Sequence, residues 1–224
     1  MGSRMERVQQ FILTLSALTI AAVLVFRTFQ ERGAQPPQRQ DVAAVHFPAW
    51  REAMAFGRRL GGETGAPVVV IEFSDLECPA CRVFQSTLES ILSRRPRDVQ
   101  AFYMAYPLPI HRFAMPAARA VECVDSDSLA ASLIARFYMK QDSLGIKTWG
   151  SFAAEAGVPD TSHVASCALG RNEYARIDSG KAIGQRLRIP GTPSVLINGW
   201  LLPFVPTEAQ LDSAVNALMR IGRS

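Results

Sequence analysis

The sequence predicts an α/β domain carried behind one apolar N-terminal segment. Three observations predict it. Pro67 to Ser74 (PVVVIEFS) is an unbroken apolar run rich in β-branched residues, as in a strand buried on both faces. A stretch with helical apolar spacing follows it almost at once. Near the end, Asn198-Gly199 separates two short apolar runs ahead of another amphipathic stretch. The order is β-α-β, then about 75 mainly helical residues, then β-β-α, with no internal repeat. The 24 basic and 20 acidic residues leave a formal charge of only +4. That excess, without a basic stripe interleaved with aromatics, argues against a nucleic-acid partner.

Phe11 to Phe26 is uncharged and follows Arg4 and Arg7. As a helix it spans about 24 Å, within reach of a bilayer core once the flanking polar side chains snorkel. Residues 1–10 are expected in the cytoplasm, 11–26 as a transmembrane anchor or signal segment, 27–41 as a linker and 42–224 as the folded domain. Val25 to Phe29 lacks a small-x-small cleavage pattern, which favours a single-pass anchor in a cell membrane; secretion after cleavage is the alternative. Both place the domain outside the cytoplasm.

Between Val42 and Leu60, Phe47, Trp50 and Met54 fall at helical spacing, and the glycines from Gly61 to Gly65 then break the chain. The helix after Pro79 buries Phe84, Leu88, Ile91 and Leu92 and turns Arg82, Gln85, Glu89 and Ser93 outward. Val99 to Tyr106 is a second strand. The helical block has stripes at Ala114, Ala117, Ala118, Val121 and Val124, and at Leu129, Leu133, Phe137 and Tyr138. A loop carries Trp149 and Phe152, and Asn172 to Leu187 is helical again. Ser194 to Ile197 and Trp200 to Phe204 form a hairpin. Thr207 with Gln210 then caps a last helix that buries Leu211, Ala214, Val215, Leu218 and Met219.

Chemistry centres on Cys78-Pro79-Ala80-Cys81, a C-x-x-C between the buried strand and the helix. At a helix N-terminus the first cysteine faces unpaired backbone N–H groups and the positive end of the dipole, which favour thiolate. The second lies one turn in, close enough for an easily opened disulfide. Half of a zinc site is the competing explanation, but Cys123 and Cys167 are isolated and the histidines scattered, so no metal is expected. Glu72, alone in VVVIEF, is either a costly buried acid or an edge-strand residue facing solvent. Asp75 and Glu77 set negative charge near Cys78, and Arg82 opposes it.

IEFSDLECPACRVF, with GTPSVLING far downstream, resembles the DsbA-like branch of the thioredoxin superfamily. The resemblance covers essentially Val42 to Ser224. It implies a thioredoxin fold, a central mixed β-sheet flanked by helices, with an all-helical insertion at about 110–188. It also implies that Cys78 is the exposed nucleophile, Cys81 the resolving partner and Pro193 a cis-proline beside them. Thr192 offers its backbone to a substrate chain near Pro79 and Ala80, and Glu72 is the buried acid that accepts the Cys81 proton. Some relatives carry a structural disulfide between insertion helices, which here pairs Cys123 with Cys167; two buried free thiols are the alternative. His111 matches a recurrent histidine and is expected to cap a helix. Trp149 and Trp200 are expected as core or rim aromatics.

The activity implied is dithiol oxidation of reduced or misoxidised exported proteins in the periplasm, with no cofactor beyond the cysteine pair. Re-oxidation would come from a membrane quinone-linked partner of the DsbB or vitamin K epoxide reductase type. Only about 25 residues separate Val42 from the first catalytic strand, too few for the dimerisation domain of the isomerases, so a monomer is expected. A disulfide reductase or isomerase, or a non-catalytic holdase module, is the alternative.

Overall fold

Every residue of the run at 68–74 is buried, as an apolar segment without polar alternation requires. It is the centre of the sheet in a computed structural model that describes residues 45–221. The anchor or signal segment at 11–26 and the linker at 27–41 lie outside the described residues. Among the described residues no helix is long and apolar enough to cross a membrane. The strands are β1 (Val45–His46), β2 (Arg58–Gly61), β3 (Val68–Ser74), β4 (Val99–Ala105), β5 (Ser194–Ile197) and β6 (Trp200–Leu201). Their order is β1-β6-β5-β3-β4-β2. Only β3 and β4 pair in parallel, from Val68 opposite Val99 to Ser74 opposite Ala105; β5 runs antiparallel to β3 on its other side.

The helices are α1 (Trp50–Ala53), α2 (Pro79–Arg94), α3 (Ala114–Glu122), α4 (Asp127–Met139), α5 (Trp149–Glu155), α6 (Thr161–Leu169), α7 (Ala175–Leu187) and α8 (Glu208–Ile221). Successive side chains of a strand point to opposite faces, and that period sorts the core. Val68 and Val70 pack with Phe84, Leu88 and Ile91 of α2 and Leu211 and Val215 of α8. Val69, Ile71 and Phe73 pack on the other face with Phe47, Trp50, Ile183 and Leu187. Gly180 lets α7 lie against β4, since a Cβ there would meet the Ala105 carbonyl at 2.3 Å. Glu72 and Ser74 continue the Val68–Val70 face. The alternation therefore aims them toward the N-terminal end of α2.

Helices α3 to α7 occupy the span between β4 and β5, capped where the chain offers short oxygens. Ser126 accepts from the N–H of Leu129, Thr148 from Ser151 and Asp160 from His163. Their shared core includes Ala117, Val121, Leu133, Phe137, Phe152 and Val164, and reaches Leu76, Cys78 and Cys81.

Four local expectations are corrected. The stretch between Val42 and Leu60 holds one helical turn and a 3₁₀ turn flanked by two strands. Arg58–Gly61 has no apolar period, and its strand form comes from pairing with β4. There Arg58 Nη2 donates to the carbonyls of Val121, Glu122 and Val124 at the end of α3. Trp149 and Phe152 lie on a helix, which Thr148 starts. Gln85, expected on the outer face, is buried and donates to Glu89. The last strand stops at Leu201, because Pro203 has no N–H to continue a ladder. In the hairpin, Asn198 and Gly199 take positive φ, and Thr207 and Gln210 exchange hydrogen bonds at the start of α8.

Cys123, at the end of α3, is joined by a disulfide to Cys167 on α6 across 44 residues of chain. Closing a loop of that length restricts the unfolded chain more than the folded one. Replacing both cysteines by alanine is expected to lower the unfolding free energy by about 2–4 kcal/mol in urea titrations; an unchanged midpoint would contradict this.

Candidate active site

Pro79 occupies the first turn of α2, where its missing N–H costs nothing, and leaves Cys78 as the N-cap residue with extended backbone. The turn before it is closed by the Cys78 N–H donating to the Asp75 carbonyl at 3.1 Å. From α4's end, Gln141 Nε2 donates to the carbonyls of Leu76 and Cys78, each at 3.0 Å. Pro79 and Ala80 are exposed, Cys78 is 6% exposed and Cys81 fully buried. Both are free thiols.

The chain from Gly191 to Ser194 passes beside this turn. The Thr192–Pro193 bond is cis, and the Cys78 thiol donates to the Thr192 carbonyl at 3.3 Å. Pro193 is buried, and Thr192 Oγ1 is enclosed without a hydrogen-bond partner. Cys78, Cys81, Thr192 and Pro193 thus share one site. Cys123 and Cys167 belong to the helical insertion.

The two thiols are driven apart in acidity. A hydrogen bond from the Cys81 thiol pulls the Cys78 pKa down to about 5. Burial works against the fall, and the backbone N–H groups of Cys81 and Ala80 assist it. Burial pushes the Cys81 thiol far up, helped by its bond to the Cys78 sulfur and by the charge of Glu72. Glu72 is fully buried, not on an edge, and its pKa rises to about 8, chiefly through that burial. Ser74 Oγ donates to Glu72 Oε1 at 2.6 Å and lies 2.6 Å from the Tyr138 hydroxyl; Glu72 Oε2 is buried without a partner.

Sequence reasoning missed Ser74, Tyr138, Gln141 and the pairing of Asp75. Tyr138 was legible only as core, and nothing near Gln141 in the chain points to the Cys78 turn. Asp75, 1% exposed, accepts from the N–H groups of Glu77 and Leu108 and lies 2.9 Å from His111 Nδ1. His111 therefore caps no helix. Glu77 accepts from the Phe113 N–H, and Arg82 pairs at 3.0 Å with exposed Asp142 instead of with Cys78. Trp149 packs against Phe137 and Phe152, and Trp200 is 47% exposed. Among the described residues the metal-ligand grouping is Cys123, His163 and Cys167, whose two sulfurs are bonded to each other.

No curated protein matches the chain. Solved structures that resemble it include oxidised BdbD from Bacillus subtilis, at TM-score 0.64 and 19% identity over 75% of this chain and 95% of that one. DsbA from Chlamydia trachomatis gives 0.64 and 16% over 85% and 99%. ScsC from Proteus mirabilis in a transitional conformation gives 0.60 and 21% over 98% and 99%. At these identities the likeness is one of fold. The thioredoxin family model matches residues 56–217, which include Glu72, the C-x-x-C turn, the helical insertion and Pro193. With that match spanning most of its length, the chain belongs to the thioredoxin family.

Proposed function

We propose that this thioredoxin-family chain is a thiol–disulfide oxidoreductase that runs as a dithiol oxidase on exported proteins. The observation that carries the proposal is the opposed acidity of Cys78 and Cys81 at the N-terminus of α2. A thiolate stabilised in the reduced protein has no counterpart in the disulfide. The pair therefore gains more on reduction than an ordinary dithiol, which makes its disulfide an oxidant.

The reaction begins with the Cys78–Cys81 disulfide. A substrate thiolate bonds to Cys78 Sγ and the Cys78–Cys81 bond breaks, leaving the electron pair on Cys81. Burial disfavours a charge there, so Cys81 takes a proton, and Glu72 below it is the donor. The second substrate sulfur, deprotonated, attacks the first and Cys78 leaves as thiolate. Two electrons have passed to the protein; Cys81 holds the proton that Glu72 gave, Glu72 is left as a carboxylate, and the two protons of the substrate thiols go to solvent. The substrate departs with a new disulfide. Exposed Pro79 and Ala80, with the backbone at Thr192 and Pro193, form the surface that receives the substrate chain. Thr192 Oγ1, unpartnered beside the thiol, is free to donate to the thiolate.

A quinone-linked membrane partner of the DsbB or vitamin K epoxide reductase type would accept the two electrons, and Glu72 would then take the Cys81 proton. The uncharged run at 11–26 and the Cys123–Cys167 bond support a membrane-tethered domain facing an oxidising compartment such as the periplasm.

Three sets of measurements test this. Cys78 alkylation should show a midpoint near pH 5, and the reduction potential should lie above about −200 mV; a much lower potential would remove the oxidase assignment. The Cys78→Ser protein should lose oxidative refolding of a reduced substrate, and retained activity would discard the mechanism. Glu72 gives the third. A raised folded pKa stabilises fully below the ordinary value of 4.5 and loses that contribution as pH rises through about 8. Glu72→Gln should therefore flatten stability across that window, with a gain of about 2 kcal/mol or more at pH 9. It should also slow transfer through Cys81 about tenfold or more. Cys78 has the opposite sign: its contribution is full above 9.0 and is lost as pH falls through about 5.

A further inference from the structure

The C-x-x-C dipeptide is Pro79-Ala80, so no ionisable group stands between the two sulfurs. The cation next in sequence, Arg82, is turned away to Asp142. The group that faces the Cys78 turn with a titratable cation is instead His111, 33 residues along the chain. The loop after β4 brings it there. The Leu108 N–H and His111 Nδ1 both meet Asp75 Oδ2, at 2.7 and 2.9 Å, while Asp75 Oδ1 accepts from the Glu77 N–H at 2.8 Å. Asp75 is sealed from solvent, whereas the His111 side chain is 21% exposed. The pair is thus fixed at its carboxylate end and open to proton exchange at the ring.

Building on the oxidase mechanism, we propose that His111 is a positioning residue whose proton is coupled to the redox state of Cys78. When the pair is reduced, the ring sits in the field of the Cys78 thiolate; when it is a disulfide, that charge is gone. The groups facing His111 are Asp75 and Glu77 from the turn and Cys78 from the start of α2. Arg112, next in the chain, and Lys181 of α7 line a groove together with it. Of these groups only Cys78 gains or loses a charge through the redox step itself. Burial lowers the affinity of the ring for a proton, and Asp75, Glu77 and Cys78 together outweigh it.

Coupling between two sites is reciprocal: a thiolate that holds a proton on His111 is itself stabilised by that proton to the same degree. Reduction of the disulfide is then accompanied by partial proton uptake at His111, and oxidation by its release. The potential acquires a pH inflection in the imidazole range, well above the midpoint of Cys78 itself.

The test follows His111 by NMR in the oxidised and reduced protein, its signal assigned by its loss in His111→Asn. The midpoint should be higher in the reduced form by about half a unit or more; equal midpoints would overturn the proposal. His111→Asn keeps an N–H aimed at Asp75 and removes the charge. It should raise the Cys78 alkylation midpoint by about half to one unit and shift the equilibrium with glutathione about three- to tenfold toward the protein disulfide. A midpoint near 5 in both proteins would sink the role of His111 and leave the oxidase mechanism standing. A wild-type midpoint near 9 would sink the oxidase mechanism, with the two His111 titrations still deciding the coupling.

Discussion

A thiol donates to a neighbouring sulfur only while it keeps its own proton, so Cys78 and Cys81 cannot ionise together. Burial chooses between them. Cys81 is fully enclosed one turn inside α2, whereas Cys78 stands at the N-cap with backbone N–H groups ahead of it. Charge is therefore confined to the outer sulfur, and the inner one is held as the donor. The hydrogen bond between them is the largest cause of the low Cys78 pKa, ahead of the contribution of the helix backbone. A C-x-x-C on an exposed helix would have the same spacing without this asymmetry.

The insertion helices supply the enclosure. A thioredoxin-like sheet with α2 alone would leave the inner thiol and Glu72 near water. Here α4 lays Leu133, Phe137 and Tyr138 into the core that contains both cysteines, and the Tyr138 hydroxyl ends a polar chain running through Ser74 to Glu72. Just past α4, Gln141 fastens the carbonyls of the active-site turn. The Cys123–Cys167 bond ties α3 to α6 behind this wall. Stability in the insertion and acidity at the site are consequently linked: loosening α4 would rehydrate Cys81 and Glu72 and relax both shifts.

What the sequence made legible follows the range of each interaction. The buried strand, the helix after Pro79, the Asn198-Gly199 hairpin and the Thr207–Gln210 capping box are set by neighbours within a few residues, and all are visible in composition and spacing. β2 was hidden because Arg58 to Gly61 has no strand pattern and takes its form from the edge of β4. Glu72 was ambiguous because period alone does not say which face of a strand is covered. Gln141 and the Asp75–His111 pair were invisible, since each meets its partner across 36 to 65 residues with no local signature.

Two acids beside a thiolate look self-defeating until their bonds are counted. Asp75 accepts two backbone N–H groups and meets the His111 ring, and Glu77 accepts the Phe113 N–H. These carboxylates hold the turn before Cys78 to the loop that follows β4, and their hydrogen bonds spread the charge they carry. Apolar side chains would remove the repulsion but leave these part-buried N–H groups unanswered, at a cost of about 1–3 kcal/mol each. The better solution keeps the acids and balances them with one cation whose charge can be surrendered. His111 fits that requirement where lysine or arginine would not, because only an imidazole gives up its proton in the range where the disulfide is formed and broken.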